Sequence, residues 1–512
     1  MVTSIENNKR IAKNTLLLYF RMLLTMAVSL YTSRVVLNTL GVEDYGIYNV
    51  VGGVVAMFTV LSGSLSSAIS RFITFELGRN DLKKLKKIFS SAITIQIGLA
   101  LIVIILAETV GFWFLNEKMV IPMERMNAAN WVYQFTILTF AVQLISVPYN
   151  ASIIAHEKMS AFAYISILEV IGKLIVAFSI AITPIDRLVY YGLLLMFIAV
   201  AICLIYGIYC RSNFEECTYL FVYDKSLLKQ MFAFAGWNFI GSSSAVLRDQ
   251  GGNIVINMFC GPAVNAARGI AIQVSNAIQG FVTNFMTALN PQITKSYASG
   301  NFDYMMTLIF QGARLSYYIL LLLSLPVILN AEYILSIWLG IVPEYTVRFV
   351  QLVLVFAMSE SLANPLITAM LATGNIRNYQ LVVGGLQLLN LPFSYLFLRL
   401  GYSPEIVFII AIIISVCCEM SRLCMLRKMI NLPVRRFLHN VYFNVIIVSI
   451  VSAVFPYWII NDIEPNYINL LWTTLLCFVC TLISILFIGC NKSERILVYQ
   501  KLQVVRNKFI RK

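Results

Sequence analysis

Apolar residues in this chain gather in long blocks, with the polar residues collected between them. Each block runs for roughly 20 residues or more, the length a helix needs to cross a bilayer. Fourteen such blocks fall near 14–39, 46–70, 88–114, 129–152, 160–182, 188–210, 231–259, 264–290, 308–331, 347–371, 379–398, 405–425, 438–460 and 467–489. A transmembrane barrel would alternate apolar and polar positions with period two, and that alternation is absent. The pattern therefore predicts an all-α polytopic membrane protein with about fourteen transmembrane helices.

Composition supports this class. The chain is 59% hydrophobic and 12% charged, whereas soluble domains carry about 25% charged residues. The longest external loop, near 115–128, and the longest internal one, near 211–230, are too short to hold folded domains. Lys9, Arg10 and Lys13 precede the first block, and no small-residue cleavage site follows it, so that helix is expected to be retained.

Loop charge predicts orientation. With the N-terminus placed in the cytoplasm, the cytoplasmic segments hold 26 lysines and arginines and the external loops hold five: Lys118, Arg125, Arg187, Arg348 and Arg399. This asymmetry follows the positive-inside rule and puts both termini in the cytoplasm. The net charge of +14 is thus a matter of topology and of attraction to anionic lipid, and it implies no nucleic-acid partner. The basic tail after 489 has Ile496, Leu497, Leu502, Val505 and Phe509 at helical spacing; it reads either as an amphipathic helix on the inner leaflet or as a solvated tail.

The chain also resembles itself at an offset of about 220 residues. LNTLGVEDYGIYNV at 37–50 aligns with NMFCGPAVNAARGI at 257–270, which brings Gly41 onto Gly261; Ile73 and Thr74 fall on Ile293 and Thr294. At an offset of 217, Pro148, Ala151 and Ala155 fall on Pro365, Thr368 and Ala372. Six spans separate the copies, an even number, so the repeat is parallel, as in transporters built from two lobes around a central site. The expected organisation is an N-lobe of spans 1–6 at 1–210, a cytoplasmic linker at 211–230, a C-lobe of spans 7–12 at 231–426, spans 13 and 14 at 427–489, and a basic tail at 490–512.

Charges within the spans mark candidate chemistry. A charge at mid-bilayer costs roughly 2.5–3.5 kcal/mol on insertion scales, so it is a functional candidate by default. Arg21, Arg34, Arg71, Arg248 and Arg268 lie on spans 1, 2, 7 and 8, the leading helix pairs of the two lobes. The intramembrane acids are fewer: Asp249, Glu169, Glu360 and Glu108. An enclosed site with this balance would suit an anion, since the arginine fork matches phosphate oxygens. Arg21 and Arg71 are near enough to span ends to reach headgroups instead. Glu169 and Lys173, four apart on one helix, are expected to pair with each other. Arg248 and Asp249 point about 100° apart on a helix, which predicts different partners for the two. Arg314 has no evident company. Gly251, Gly252 and Pro365 are candidate hinges, because broken helices at membrane depth are tolerated where they line a cavity. Asp249 and Glu360 are candidate sites for a coupling ion, H+ or Na+.

No P-loop, metal-ligand cluster or nucleophile–base pair is evident, so nucleotide hydrolysis by this chain is not expected, nor is a bound cofactor or metal. CxxC at Cys477 and Cys480 sits inside an apolar span and reads as packing.

The stretch NTLLLYFRMLLTMAVSLYTSRVVLNTLGVEDYGIYNVVGGVVAMFTVLSGSLSSAISRFITFELGRND, above all TSRVVLNTLGVEDYGIYNVV followed by a Ser-rich second span with a basic end, resembles the opening of bacterial polysaccharide-biosynthesis flippases. These are the Wzx-like O-antigen and capsule transporters of the MOP superfamily, related to the MATE exporters and the lipid II flippase. The resemblance implies a non-enzymatic inner-membrane protein that flips undecaprenyl-diphosphate-linked oligosaccharide from the cytoplasmic to the outer leaflet. It also implies a partnership with polysaccharide polymerase machinery, and cavity arginines at Arg21, Arg34, Arg248 and Arg268 that hold the cargo's headgroup. Two rivals remain: a MATE-type drug or metabolite exporter, which would favour a more acidic or apolar cavity, and a membrane-embedded O-antigen polymerase or ligase, which would need a larger external loop.

Overall fold

The structure is a computed structural model, and it describes residues 2–56, 59–117, 121–184, 186–220, 224–339, 342–461, 466–491 and 494–495. The amphipathic face expected at 496–509 lies outside the described residues, as do Lys118 and part of the 211–230 linker. Among the described residues all regular structure is helical. The principal helices are α1 (Val2–Ala56), α2 (Thr59–Arg79), α3 (Leu82–Leu106), α4 (Met126–Ala155), α5 (Met159–Ser179), α6 (Arg187–Asn213) and α7 (Lys225–Ala298). They are followed by α8 (Phe302–Leu329), α9 (Thr346–Thr373), α10 (Arg377–Leu388), α11 (Asn390–Arg399), α12 (Ile406–Ile430), α13 (Asn444–Asn461) and α14 (Tyr467–Ser484).

Local chemistry explains several boundaries. Asp81, Asp186, Asp224 and Asn466 accept bonds from the first free backbone N–H groups of α3, α6, α7 and α14. At the other end of α12, Arg427 and Lys428 lie in the last turn, where the helix dipole favours positive charge, and Asn431 closes it at φ 55°.

Two pairs of expected spans are joined by continuous helix where the hydropathy pattern predicts a break. In α1, Gly41 sits at φ 82°, ψ 169°, a conformation open to glycine, so the first span and the start of the second share one kinked element. In α7, Arg268 Nη1 donates to the carbonyl of Asp249 at 3.1 Å, although 19 residues separate them. A straight helix would put these residues about 28 Å apart, so α7 bends back on itself between them and carries spans 7 and 8 as its two arms.

Eleven helical segments among the described residues are long and apolar enough to cross a membrane. Every expected span is among them except 46–70, 231–259 and 264–290. The block 46–70 contains residues outside the described ones, and 231–259 and 264–290 are more polar because they carry the serines, amides and charges discussed below. Many large apolar side chains on the spans stand exposed, Leu101, Ile105, Ile450, Leu471 and Trp472 among them, as expected where the solvent is lipid.

The chain divides into two compact units. The first comprises 1–243 with 287–302 and 371–380; the second comprises 244–286, 303–370 and 381–512. The first unit has its core around Val51, Val103, Val132, Tyr133, Ile137 and Leu188, drawn from α1, α3, α4 and α6. Tyr133 is fully buried and donates its hydroxyl to the Ala107 carbonyl at 2.8 Å, where a π-turn at Ala107–Gly111 interrupts the helical ladder. In the second unit Ala267, Ala271, Phe349, Leu354 and Phe408 join α7, α9 and α12.

Several charges resolve into structural pairs. Glu169 and Lys173 meet at 2.6 Å, as their spacing predicts. Arg314, which has no evident partner in sequence, is buried against Glu494 at 2.7 Å and also donates to Asn491 and the Gly489 carbonyl. Those partners come from beyond the last span, a distance in sequence that local pattern cannot bridge. Arg71 donates Nε and Nη2 to the Leu371 and Ala372 carbonyls at 3.2 and 3.0 Å, which satisfies the otherwise unpaired end of α9. Gly374 follows at φ 78°, and a Cβ there would fall 2.5 Å from Arg71 Nη2.

Candidate translocation cavity

The second unit encloses a cavity of about 400 Å³. Its walls come from both arms of α7 and from α9, α11 and α12. Four charged residues line it: Arg248 and Asp249 from the first arm of α7, Arg268 from the second, and Glu360 from α9.

The charges form a linked set. Arg248 Nε bonds Asp249 Oδ1 at 2.9 Å, and its Nη1 lies 3.9 Å from Glu360 Oε2. This corrects the expectation that the neighbours would take different partners. Arginine's long side chain closes the 100° separation that their Cα positions impose, and Arg248 then reaches Glu360 as well. Phe356 underlies the Arg248 guanidinium at 5.2 Å, and Ser415 donates to Glu360 Oε1 at 2.6 Å. Arg268 is 6% exposed. It bonds Asn253 Oδ1 and the Asp249 carbonyl and lies over Phe408 at 5.8 Å. Its Nε has no hydrogen-bond partner among the described residues.

The glycines beside this set create room. A Cβ on Gly252 would fall 2.8 Å from Arg268 Nη2, and one on Gly251 would fall 2.5 Å from Leu391 Cδ1. Glycine lets the arms of α7 and helix α11 approach closely enough to seat Arg268. Both glycines lie in helical backbone. Pro365 lies within α9, five residues beyond Glu360, and removes one backbone donor from that helix.

Amides and hydroxyls complete the lining: Asn253, Ser275, Asn276, Gln279, Asn390 and Ser394. Asn390 Oδ1 is buried and has no hydrogen-bond partner among the described residues. The cavity thus balances two guanidiniums against two carboxylates and surrounds them with neutral donors and acceptors. That is less basic than the charge count along the spans suggests, because Asp249 and Glu360 both lie beside Arg248.

The family model for polysaccharide biosynthesis protein matches residues 11–297, more than half of the chain. The chain belongs to the polysaccharide biosynthesis protein family. A second model, MatE, matches residues 249–396, a stretch that includes Asp249, Arg268 and Glu360 and begins one residue after Arg248. Solved structures place this family member in the fold of MOP-superfamily transporters. A MATE in its bent conformation aligns with a TM-score of 0.72 at 13% identity, covering 83% of this chain and 96% of that one. A Vibrio cholerae MATE transporter in the bent form aligns at 0.69 and 16% identity, covering 84% and 98%. A MOP transporter from Pyrococcus furiosus, whose structure is described as having a binding pocket of reversed polarity, aligns at 0.67 and 15%, covering 83% and 96%. At these identities the likeness concerns fold alone. No curated protein sequence matches the chain.

The other expected site residues of this polysaccharide biosynthesis family member lie elsewhere. Arg21, on α1 in the first unit, donates Nη1 to Ser166 at 3.5 Å, and its guanidinium lies 4.5 Å over Phe162 of α5. It does not line the second unit's cavity. The side chain of Arg34 lies outside the described residues.

Two charged groups in the expected span 405–425 were not among the candidates: Arg422 is 1% exposed within α12, and Glu419 one turn before it is wholly buried. The cavity amides were missed because only formal charges were sought within the spans.

Proposed function

We propose that this transporter flips an undecaprenyl-diphosphate-linked oligosaccharide from the cytoplasmic to the outer leaflet of the bacterial plasma membrane by alternating access. The observation that carries the reading is the cavity's lining. Six amide or hydroxyl side chains surround the two arginines at membrane depth. A sugar needs many neutral hydrogen-bond partners to leave water, because each polar group desolvated without one costs about 1–3 kcal/mol. Arg268, with Nε unused by the described residues, is the group best placed to meet a phosphate oxygen. Arg248 is the second such group once cargo displaces it from Asp249 and Glu360. Those carboxylates would then take up a coupling H+ or Na+, which links cargo occupancy to ion occupancy. Both termini lie in the cytoplasm in this reading, as the basic loops direct.

A MATE-type exporter is the second reading. It is supported by the MatE match over 249–396 and by the same two carboxylates, which would pair with a cationic substrate. Deleting the gene separates the two. Flippase function predicts lipid-linked repeat units accumulating on the inner leaflet and lost surface glycan, both restored by the wild-type gene. Unchanged glycan together with increased sensitivity to cationic drugs would overturn it in favour of export.

A further inference from the structure

The first unit holds a second recess, of about 460 Å³, unlike the charged cavity in every chemical respect. It lies where α2, α3 and the first arm of α7 meet, with Leu65, Ile95, Gly98, Phe232, Gly236 and Phe239 among its walls. Thr94 is its one polar side chain among the described residues, and that hydroxyl is already engaged by the Ser90 carbonyl at 3.1 Å and the Tyr219 hydroxyl at 3.3 Å. The recess therefore offers no hydrogen bond to a ligand. Two glycines keep it open, since a Cβ on Gly98 or Gly236 would meet nothing within 4 Å. Phe232 and Ile102 at its edge are each 54% exposed, so the recess opens on the unit's surface, among the apolar side chains that face lipid.

Its rim carries the complementary chemistry. Helix α2 ends at Arg79, α3 begins with Lys83, Lys84, Lys86 and Lys87, and α7 begins with Lys225 and Lys229. The acids there are already committed. Glu76 holds Lys84 at 2.6 Å, Asp81 caps α3 and Asp224 caps α7. Arg79, Lys83, Lys87, Lys225 and Lys229 remain exposed. At 1.5 Å per residue, Gly98 lies about 24 Å along α3 from Leu82 and Gly236 about 17 Å along α7 from Lys225. On α7 the recess begins at Leu228, between Lys225 and Lys229, and on α3 it runs from about 10 Å to about 22 Å beyond Lys87, past the middle of a 30 Å hydrocarbon layer.

A deep apolar slot beside exposed lysines and an arginine fits an amphiphile with a long chain and an anionic head. We propose that this recess docks the isoprenoid chain of the lipid-linked cargo, with the phosphate held at the basic rim. Aromatic side chains and glycines offer the irregular surface that a branched, unsaturated chain can fill. The proposal rests on the flippase reading, which supplies the cargo's chemical class.

The test uses the full-length protein in nanodiscs with a photoactivatable long-chain isoprenoid phosphate. Cross-linked peptides are mapped with and without excess phosphatidylglycerol. Wild type should be labelled in α3 and the start of α7, and phosphatidylglycerol should not protect it. Gly98→Leu and Gly236→Leu, which fill the slot, should each lower labelling there at least tenfold; Lys225→Gln with Lys229→Gln, which leaves the slot intact, should lower it severalfold. Protection by phosphatidylglycerol equal to that by unlabelled isoprenoid phosphate would make the recess a seat for ordinary bilayer lipid and overturn the proposal without any variant. Labelling of the same peptides undiminished in the filled variants would overturn it too, and would leave the flippase reading standing. An absence of labelling anywhere in wild type would remove both.

Discussion

Two buried charge clusters in this protein look alike in sequence and differ in how completely they are satisfied. Around Glu157, in the first unit, every polar atom of the carboxylate is used. Arg10 Nε, Lys295 Nζ and Gln292 Nε2 donate to it at 2.8, 2.8 and 2.5 Å, and Asn14 donates to the residue's carbonyl at 3.3 Å. The Glu157 side chain is 1% exposed, and the residue adopts φ 60°, a strained position for a non-glycine. The cluster ties α1, the α4–α5 turn and the end of α7 together. Around Arg248 the same kinds of side chain are left incomplete. Asp249 remains 55% exposed, Arg268 Nε has no hydrogen-bond partner among the described residues, and a cavity of about 400 Å³ adjoins them. A saturated cluster has nothing to offer a ligand. An unsaturated one beside open volume does, and its burial cost is lowered by a wet cavity. Burial of charge alone therefore does not mark function; unmet hydrogen-bonding capacity next to space does.

The comparison breaks first at Glu157. Glu157→Ala strands two cations and an amide, and removing one partner of a buried pair costs several kcal/mol, here about 3 because Arg10 and Lys295 are partly exposed. Membrane yield and melting temperature should both fall sharply. A Glu157→Ala protein of normal yield with impaired transport would place that cluster with the functional charges instead.

Arg71 tests the same rule with a smaller effect. Its bonds to the Leu371 and Ala372 carbonyls are those of a helix cap. Arg71→Ala should cost about 1–3 kcal/mol, the cost of leaving buried acceptors unmet, read as a lower melting temperature. Arg71→Lys should recover part of this, since an ammonium can reach only one of the two carbonyls well.

The smallest effect lies outside the spans, where Arg125 joins Asp44 and Asp186 at 2.6 and 2.5 Å. Burial pushes the Asp186 carboxyl up, but hydrogen bonds from Arg125 and from the Val189 and Leu188 backbone outweigh it, and the carboxyl is held below its usual range. A carboxylate depressed in the folded state stabilises above its unfolded pKa, about 3.9, and that contribution is lost as pH falls through the folded value. The melting-temperature difference between wild type and Asp186→Asn should stay constant from pH 7 to 5 and shrink below about pH 4. A difference that vanished already at pH 6 would contradict this assignment.

The sequence told these clusters apart poorly, and the reason is physical. Hydropathy reads length and apolarity, so it found the spans and the fold class, and it singled out Arg248, Asp249, Arg268 and Glu360. It does not read side-chain reach. Arg248 finds Asp249 despite their divergent directions, and Arg314 finds Glu494 far along the chain. Glu157 lies between expected spans and draws its partners from α1 and α7, which no local pattern marks. Arg422 lies inside an expected span beside a basic run, and only packing shows that it is buried within α12. Gly41 matched Gly261 in the internal repeat, but only the backbone revealed the kink there.

The central claim is that the unsaturated cluster holds an anionic, sugar-bearing headgroup, and Arg268 tests it most directly. In a strain lacking the gene, Arg268→Ala and Arg268→Lys are expressed, and surface glycan, inner-leaflet lipid-linked repeat units and protein abundance are measured together. Losing a charge-assisted hydrogen bond costs roughly 1.5–3 kcal/mol, about ten- to a hundredfold. Arg268→Ala should therefore lower surface glycan by that order, with repeat units accumulating and protein abundance near wild type, while Arg268→Lys keeps part of the activity. Normal glycan from a normally abundant Arg268→Ala protein would contradict the claim.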